Sequence, residues 1–450
     1  MDKMSIYNRL PVCLQNAACT LEGVKVKRNK YGKRQKAALS AFMERNSWTY
    51  EQKCEYRDQQ LRVMIEHCYN HVPYYRKLFD RLGVDYRSIK RLDNLKVLPI
   101  LTKSIVRENF DDFLADNIDP KQLMLMHTSG TTGSCFQFYY TQDAYAAQWA
   151  DKERHDYNLG LIGIKWSAYF GGRSIVPKNK NKPPFYRINY AMRVVMFSSF
   201  HLSDANFDNY IKGLERFKPE FWHGYPSSMV PLAQYLLDSG KRLSFVPKCI
   251  QFASENVSES QLQKMEEAFG VRPLQGYAMT EQVATFRQFG DGRMFVMEDL
   301  SAVELIPVPN SHLCRVVGTT LTNFGMPFIR YDTKDLVTFQ EVPEGRQILS
   351  IDGRDEDCIR FRDGSVVRRL SRIFHNQRNV VESQIIQHSY DLLEFRVVKG
   401  KNYSQADEEM LHRDIREYLA GKIGYEVTYV NEIPKTANGK MKFIISEIDA

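Results

Sequence analysis

Residues 127–140 read HTSGTTGSCFQFYY. The hydroxyl residues Thr128, Ser129, Thr131, Thr132 and Ser134 surround the glycines Gly130 and Gly133, after a Leu-Met run and before an alternating Phe-Gln-Phe-Tyr-Tyr segment. That pattern predicts strand, loop, strand. Glycines let a backbone turn through positive φ and bring its N–H groups close to an anion, and the hydroxyls add neutral donors, so the loop suits a polyphosphate. It is not a Walker A loop, whose G-x-x-x-x-G-K-[ST] opens a helix. Taken alone, such a cluster is more often an ordinary solvated hairpin turn. The stretches around it decide.

Downstream, helical and strand-like periods alternate. Residues 143–159 read as a helix, 167–176 as a strand with the turn Gly171-Gly172, 193–197 as a strand, 204–217 as a helix, 220–224 as a strand and 229–238 as a helix. Residues 248–253, 258–269 and 273–277 repeat the theme, and the alternation predicts a parallel sheet covered by helices. Upstream, Leu61, Met64, Ile65, Cys68, Tyr69 and Val72 recur at steps of one helical turn until Pro73 interrupts, and Tyr74, Tyr75 and Phe79 read as core. From Ser301 the texture changes to strands separated by Asn, Gly and Pro turns, an antiparallel or barrel-like subdomain over 301–353. Beyond it a strand at 394–398, an amphipathic helix through 408–419 and a strand at 425–430 predict a small separable domain. The expected fold class is multidomain α/β, with a large domain over 1–353 and a small α+β domain over 354–450.

With 450 residues, 43% of them hydrophobic, the chain is long enough for two or three cores. Its 62 basic and 54 acidic residues give a net charge of +8, mild for this length. The one basic stretch, KVKRNKYGKRQK over 25–36, reads as a solvated surface segment rather than a nucleic-acid patch. Eight scattered cysteines without a C-x-x-C pair argue against a zinc ribbon or disulfide scaffold and towards a reducing compartment. No run approaches the ~18 apolar residues of a membrane helix, so a cytoplasmic protein is expected.

Four further stretches carry chemistry. In QGYAMTE over 275–281, Tyr277 can stack on a purine, Thr280 can bind a phosphate, and Glu281 can hold a magnesium ion bridging phosphate oxygens. In RYDTKDL over 330–336, Asp335 can accept both hydroxyls of a ribose. GRDED over 353–357 pairs a turn with Arg354, and PKTANGK over 434–440 is a Pro- and Gly-bounded loop carrying Lys440. Each alone reads as an ordinary solvated turn or helix start.

Jointly, and in this order, the five stretches resemble the signature series of the adenylate-forming superfamily. VPYYRKLF, LPILTKS, HGYPSSM and FGMPFIRYDTKDLV make the resemblance specific to the phenylacetate-CoA ligase-like group, in its CapK-like branch encoded with capsular-polysaccharide genes. The resemblance runs from Tyr50 to the C-terminus. It implies ATP and magnesium, a carboxylic acid, and coenzyme A as co-substrate, with a carrier protein or a sugar as other acyl acceptors. It implies no nucleic acid and no membrane span, and it leaves a homodimer open.

By that resemblance residues 128–134 hold the ATP phosphates, and Ser254, Glu255, Gly276 and Tyr277 line the adenine site. Thr280 touches the α-phosphate, Glu281 binds magnesium, Asp335 holds the ribose and Arg354 supports the nucleotide. Lys440 bridges the attacking carboxylate and the α-phosphate. Trp222, His223, Tyr225, Pro226, Val283 and Ala284 line the acyl pocket, and Glu356 is the hinge of a mobile C-terminal lid. Lys334 stands where the group carries a glycine, beside the ribose residue. A nucleotide-binding scaffold without chemistry is the competing reading.

Overall fold

The computed structural model describes residues 3–128, 136–252, 254–255, 257–354, 358–368, 370–374, 376–436 and 439–448. The chain divides into two compact units, one of Met1–Lys27, Leu161–Gln275 and Asp355–Ala450, the other of Arg28–Gly160 and Gly276–Arg354. Residues 355–450 therefore group with 161–275.

In the second unit, helix Tyr50–His71 starts at a capping box in which Thr49 and Gln52 satisfy each other's backbone N–H groups. Leu61, Met64, Ile65 and Cys68, one helical turn apart, enter a core shared with Tyr75, Phe79, Phe113, Phe136 and Phe328. Pro73 opens the next helix, Pro73–Leu82, where its missing N–H costs nothing, and Gly83 closes it at φ 62°. The strand-rich stretch forms an antiparallel sheet in the order Ser301–Pro307, Cys314–Thr320, Tyr331–Val342, Gly345–Arg354, Met294–Val296, Thr285–Gln288. Gly276, Tyr277 and Ala278 then pair with the last of these. Of the two expected forms, antiparallel or barrel-like, the structure has the antiparallel one: among the described strands Ser301–Pro307 pairs only with Cys314–Thr320, so the sheet stays open.

The basic stretch lies on helices Val12–Lys30 and Lys33–Glu44. The Lys30 ammonium sits 3.1 Å from the centre of the Trp149 ring, and Arg34 pairs with Asp143 at 2.6 Å. Both side chains thus engage helix Gln142–Asn158.

In the first unit, strand Phe221–Gly224 pairs in parallel with Ser167–Phe170 on one side and Cys249–Phe252 on the other. Helices Asp204–Phe217, Pro226–Ser239 and Glu259–Phe269 supply the crossovers, as the alternating periods predict. The sheet ends in Tyr186–Asn189, antiparallel to Val194–Phe197. Its outer backbone is covered by the N-terminal helix, whose Asn16 and Thr20 side chains accept the N–H groups of Ile188 and Tyr190. The same unit carries a four-stranded sheet in the order Gly424–Tyr429, Leu392–Lys399, Val380–Gln387, Ile444–Ser446, packed on helix Gln405–Leu419. The strand Val380–Gln387 has no counterpart in the sequence reading.

Candidate active site

The strands flanking the Ser/Thr/Gly loop form as predicted. Met124–His127 pairs with Gln137–Tyr140, His127 lies opposite Gln137, and the Thr128 N–H reaches the Phe136 carbonyl at 2.9 Å. The tip itself, Ser129, Gly130, Thr131, Thr132, Gly133 and Ser134, lies outside the described residues, as does Glu356.

The second unit gathers Tyr277, Glu281, Asp335 and Arg354. Tyr277 stacks on Phe286 with ring centroids 4.5 Å apart and planes 15° apart, which fixes the phenol. Its hydroxyl donates to Asp335 at 2.7 Å. Burial, reinforced by that carboxylate, pushes the phenol well above its ordinary pKa, so it stays protonated. Asp335 lies opposite Arg354 in the register of two neighbouring strands, with the guanidinium Nε 3.9 Å away. Neither relation is local in sequence. Lys334, at φ 65°, turns its ammonium to within 3.3 Å of Asp332.

Glu281 is only 4% exposed. Burial raises its carboxyl pKa, against the opposing pull of Lys103, a hydrogen bond from the Tyr331 hydroxyl at 3.3 Å, and Arg354. A buried carboxylate with its pKa raised in this way gains from a cation beside it. Magnesium usually takes one or two protein carboxylates and completes its shell with phosphate and water oxygens, so Glu281 fits that role. The Thr280 carbonyl accepts from the Tyr140 hydroxyl, which ties this turn to the strand leaving the Ser/Thr/Gly loop.

The first unit holds the other candidates. On strand Phe221–Gly224 alternate side chains take opposite faces. Trp222 is fully buried against Phe170, Phe245 and Phe269, its indole N–H given to the Pro219 carbonyl. It is a core residue, which corrects its expected place in an acyl pocket. His223 points the other way, stacked on Phe221 and 5.1 Å from the Tyr169 ring. Val283 and Ala284, expected in the same pocket, are completely buried among the cores of the second unit. Tyr225 stands at the N-cap position of helix Pro226–Ser239 without a capping side-chain hydrogen bond, and Pro226 occupies the first position of the helix. Ser254 is exposed at φ 74°. Glu255 accepts from the Ser227 N–H at 3.1 Å and hydroxyl at 3.0 Å.

Lys440 is held by a tight hairpin. The Thr436 N–H donates to the Lys440 carbonyl at 2.9 Å, the Lys440 N–H to the Thr436 hydroxyl at 3.2 Å, and Lys435 bridges Met441. Gly439, at φ 71°, lies flush on the Gly171-Gly172 turn: a Cβ there would stand 2.8 Å from the Gly172 Cα. The hairpin sets the Lys440 ammonium 5.5 Å from the centre of the Tyr225 ring. Gly439→Ala is expected to cost about 1–2 kcal/mol in left-handed backbone strain alone, with the contact with Gly172 adding to it. The urea midpoint should fall as the hairpin lifts off the turn.

Sequence reasoning passed over Tyr331, Lys435, Arg173 and Tyr169. Lys435 and Tyr331 were visible within PKTANGK and RYDTKDL; Arg173 and Tyr169 approach His223 only through folding.

Residues 361–447 match the family model for the CapK C-terminal domain. The protein CapK of Staphylococcus aureus is 25% identical, with 98% of this chain and 99% of that one aligned. A phenylacetate-coenzyme A ligase of Aromatoleum evansii is 25% identical over 68% of this chain and 71% of its own. Among solved structures, 2-hydroxyisobutyryl-CoA ligase in its postadenylation state, bound to an acyl-AMP, superposes with a TM-score of 0.65 at 18% identity, covering 87% of this chain and 89% of that one. The chain has the adenylate-forming fold and a CapK C-terminal domain. Its homology to CapK and to phenylacetate-CoA ligases places it among the adenylate-forming ligases. Among its described residues no helix is long and apolar enough to cross a membrane.

Proposed function

We propose that this adenylate-forming ligase activates a carboxylic acid with ATP and then hands the acyl group to the thiol of coenzyme A. The observation that carries the reading is the seating of the 434–441 hairpin, which fixes Lys440 beside Tyr225 at the end of a parallel sheet. That is where open α/β folds bind their ligands. In the first step a carboxylate oxygen attacks the α-phosphorus, a P–O bond forms, and the bond to the β-phosphate oxygen breaks to release pyrophosphate. Charge builds on the α-phosphate oxygens, and the Lys440 ammonium is the group of this hairpin suited to neutralise it. Tyr277 offers a face to the adenine, Asp335 and Arg354 serve the ribose side, Thr280 the α-phosphate, and the loop over 128–134 the outer phosphates. Glu281 would hold a magnesium ion, which would supply charge neutralisation at the phosphates.

The side chains around Tyr225 favour a polar acid over an aryl one. The Arg173 guanidinium stands 5.6 Å from the Tyr169 ring centre, and Tyr169 lies beside His223. Among the described residues no carboxylate forms a salt bridge with Arg173. The resemblance to the branch encoded with capsular-polysaccharide genes makes polysaccharide biosynthesis the proposed setting, with a carrier thiol or a sugar amine or hydroxyl as the alternative acceptor.

The test is pyrophosphate release with ATP, magnesium and separate pools of hydroxy, dicarboxylic and aromatic acids, with and without coenzyme A. Release that depends on one polar acid and rises with coenzyme A is the expected result. No release from any pool by protein that binds ATP would overturn the catalytic reading in favour of the scaffold, and release unaffected by coenzyme A would move the acceptor to a carrier or sugar.

A further inference from the structure

Glu255, expected at the adenine, has its carboxylate committed elsewhere. Its oxygens take the Ser227 N–H and hydroxyl, which caps the otherwise open first turn of helix Pro226–Ser239, and at 3.1 Å they also take the backbone N–H of Met441. Met441 directly follows Lys440. A second link runs beside it: the Lys435 ammonium donates to the Ser227 carbonyl at 3.1 Å and lies 3.8 Å from Glu382. The Ser227 backbone therefore meets both ends of the 435–441 hairpin, its N–H through Glu255 and its carbonyl through Lys435. Burial raises the Glu255 carboxyl pKa, opposed by the Ser227 and Met441 donors and by Lys435, so the group depends on these partners to remain a carboxylate.

We propose that Glu255 is a positioning residue for Lys440, seating the lysine hairpin through the Met441 N–H with Lys435 as its second anchor. The inference rests on the adenylation reading above. It differs from a plain helix cap in what it controls. A cap sets the stability of helix Pro226–Ser239, whereas a seat for the hairpin sets the rate of the one half-reaction that uses Lys440. It differs equally from a nucleotide contact, which would appear in the affinity for ATP.

The experiment compares Glu255→Ala, Glu255→Gln and Lys435→Met with the wild-type protein in three readings. Adenylation, followed as pyrophosphate release, should fall about 10–100-fold in Glu255→Ala, the scale on which a small displacement of a catalytic group acts. Thioester formation from a supplied acyl-adenylate should stay unchanged. Hydrogen exchange over residues 439–448 should run about tenfold faster, the loss of one hydrogen bond. Glu255→Gln keeps one acceptor oxygen and should fall between, and Lys435→Met should show the same split. Equal loss in both half-reactions with unchanged exchange over 439–448 would reduce Glu255 to a helix cap. A raised KM for ATP with the maximal adenylation rate unchanged would return it to the nucleotide. If the wild-type protein releases no pyrophosphate at all, the functional reading fails, and the exchange measurement alone still decides whether Glu255 seats the hairpin.

Discussion

Lys440→Ala is expected to slow acyl-adenylate formation by about 10²–10³-fold, the usual cost of removing one preorganised donor from a centre where charge develops. The fold should not change. The bonds that hold the hairpin, the Thr436 N–H on the Lys440 carbonyl, the Lys440 N–H on the Thr436 hydroxyl and the Met441 N–H on the Glu255 carboxylate, do not use the Lys440 side chain. The ammonium interacts with charge that grows only as the carboxylate reaches the α-phosphorus. Its loss should therefore lower the maximal rate and leave the KM for ATP nearly unchanged. Pyrophosphate release at saturating ATP, with the urea midpoint measured on the same sample, separates the two effects. Adenylation at the wild-type rate would remove Lys440 from the mechanism.

The parts of this site that were legible in the sequence are those fixed by local pattern. The turn and strand chemistry around the Ser/Thr/Gly loop gave the hairpin Met124–His127 with Gln137–Tyr140, and the alternating periods gave the parallel unit around Phe221–Gly224. What depends on pairing between distant strands was not legible. Whether the strands beyond Ser301 close into a barrel is decided by contacts between the first and last of them, which no local period reports. The opposition of Asp335 to Arg354 is likewise a matter of register in a ladder with two irregularities.

Trp222 shows a different kind of miss. A strand's period of two sends neighbours to opposite faces, so Trp222 and His223 cannot both line one pocket. The rule was available in the sequence; which face held the core was not. The grouping of residues 355–450 with 161–275 rests on side chains such as Lys264, whose ammonium reaches the Val380 carbonyl at 3.0 Å, and those contacts join segments far apart in the chain.

Asp299→Ala should destabilise the protein by about 3–5 kcal/mol, the cost of breaking a buried ion pair from one side. Asp299 is 3% exposed and follows Glu298 in a turn after strand Met294–Val296. Its carboxylate accepts from Arg154 at 2.6 and 3.3 Å and from Arg45 at 2.8 Å, and Arg154 also reaches Asp151, which pairs with Arg287. One carboxylate thus ties the turn to helix Gln142–Asn158 and to the segment Arg45–Ser47, beside a small core of Phe42, Ala150, Met297 and Leu300. Removing it strands the Arg45 guanidinium and leaves Arg154 with Asp151 as its carboxylate partner; burial keeps both guanidinium groups from water, and neither can neutralise by losing a proton at physiological pH. The same geometry sets a pH dependence. Burial alone would raise the Asp299 carboxyl, but the charges and hydrogen bonds of Arg154 and Arg45 outweigh it and hold the pKa below the usual carboxylate range. A carboxyl with a depressed folded pKa contributes stability that is fully present above its unfolded value, about 3.9, and is lost as pH falls through the folded one. In urea titrations the gap between wild type and Asp299→Ala should therefore stay constant from neutral pH down to about pH 5 and narrow below pH 4. A gap under about 1 kcal/mol at neutral pH would show that the two arginines find other partners when Asp299 is gone, and that the network is not what holds these three segments together.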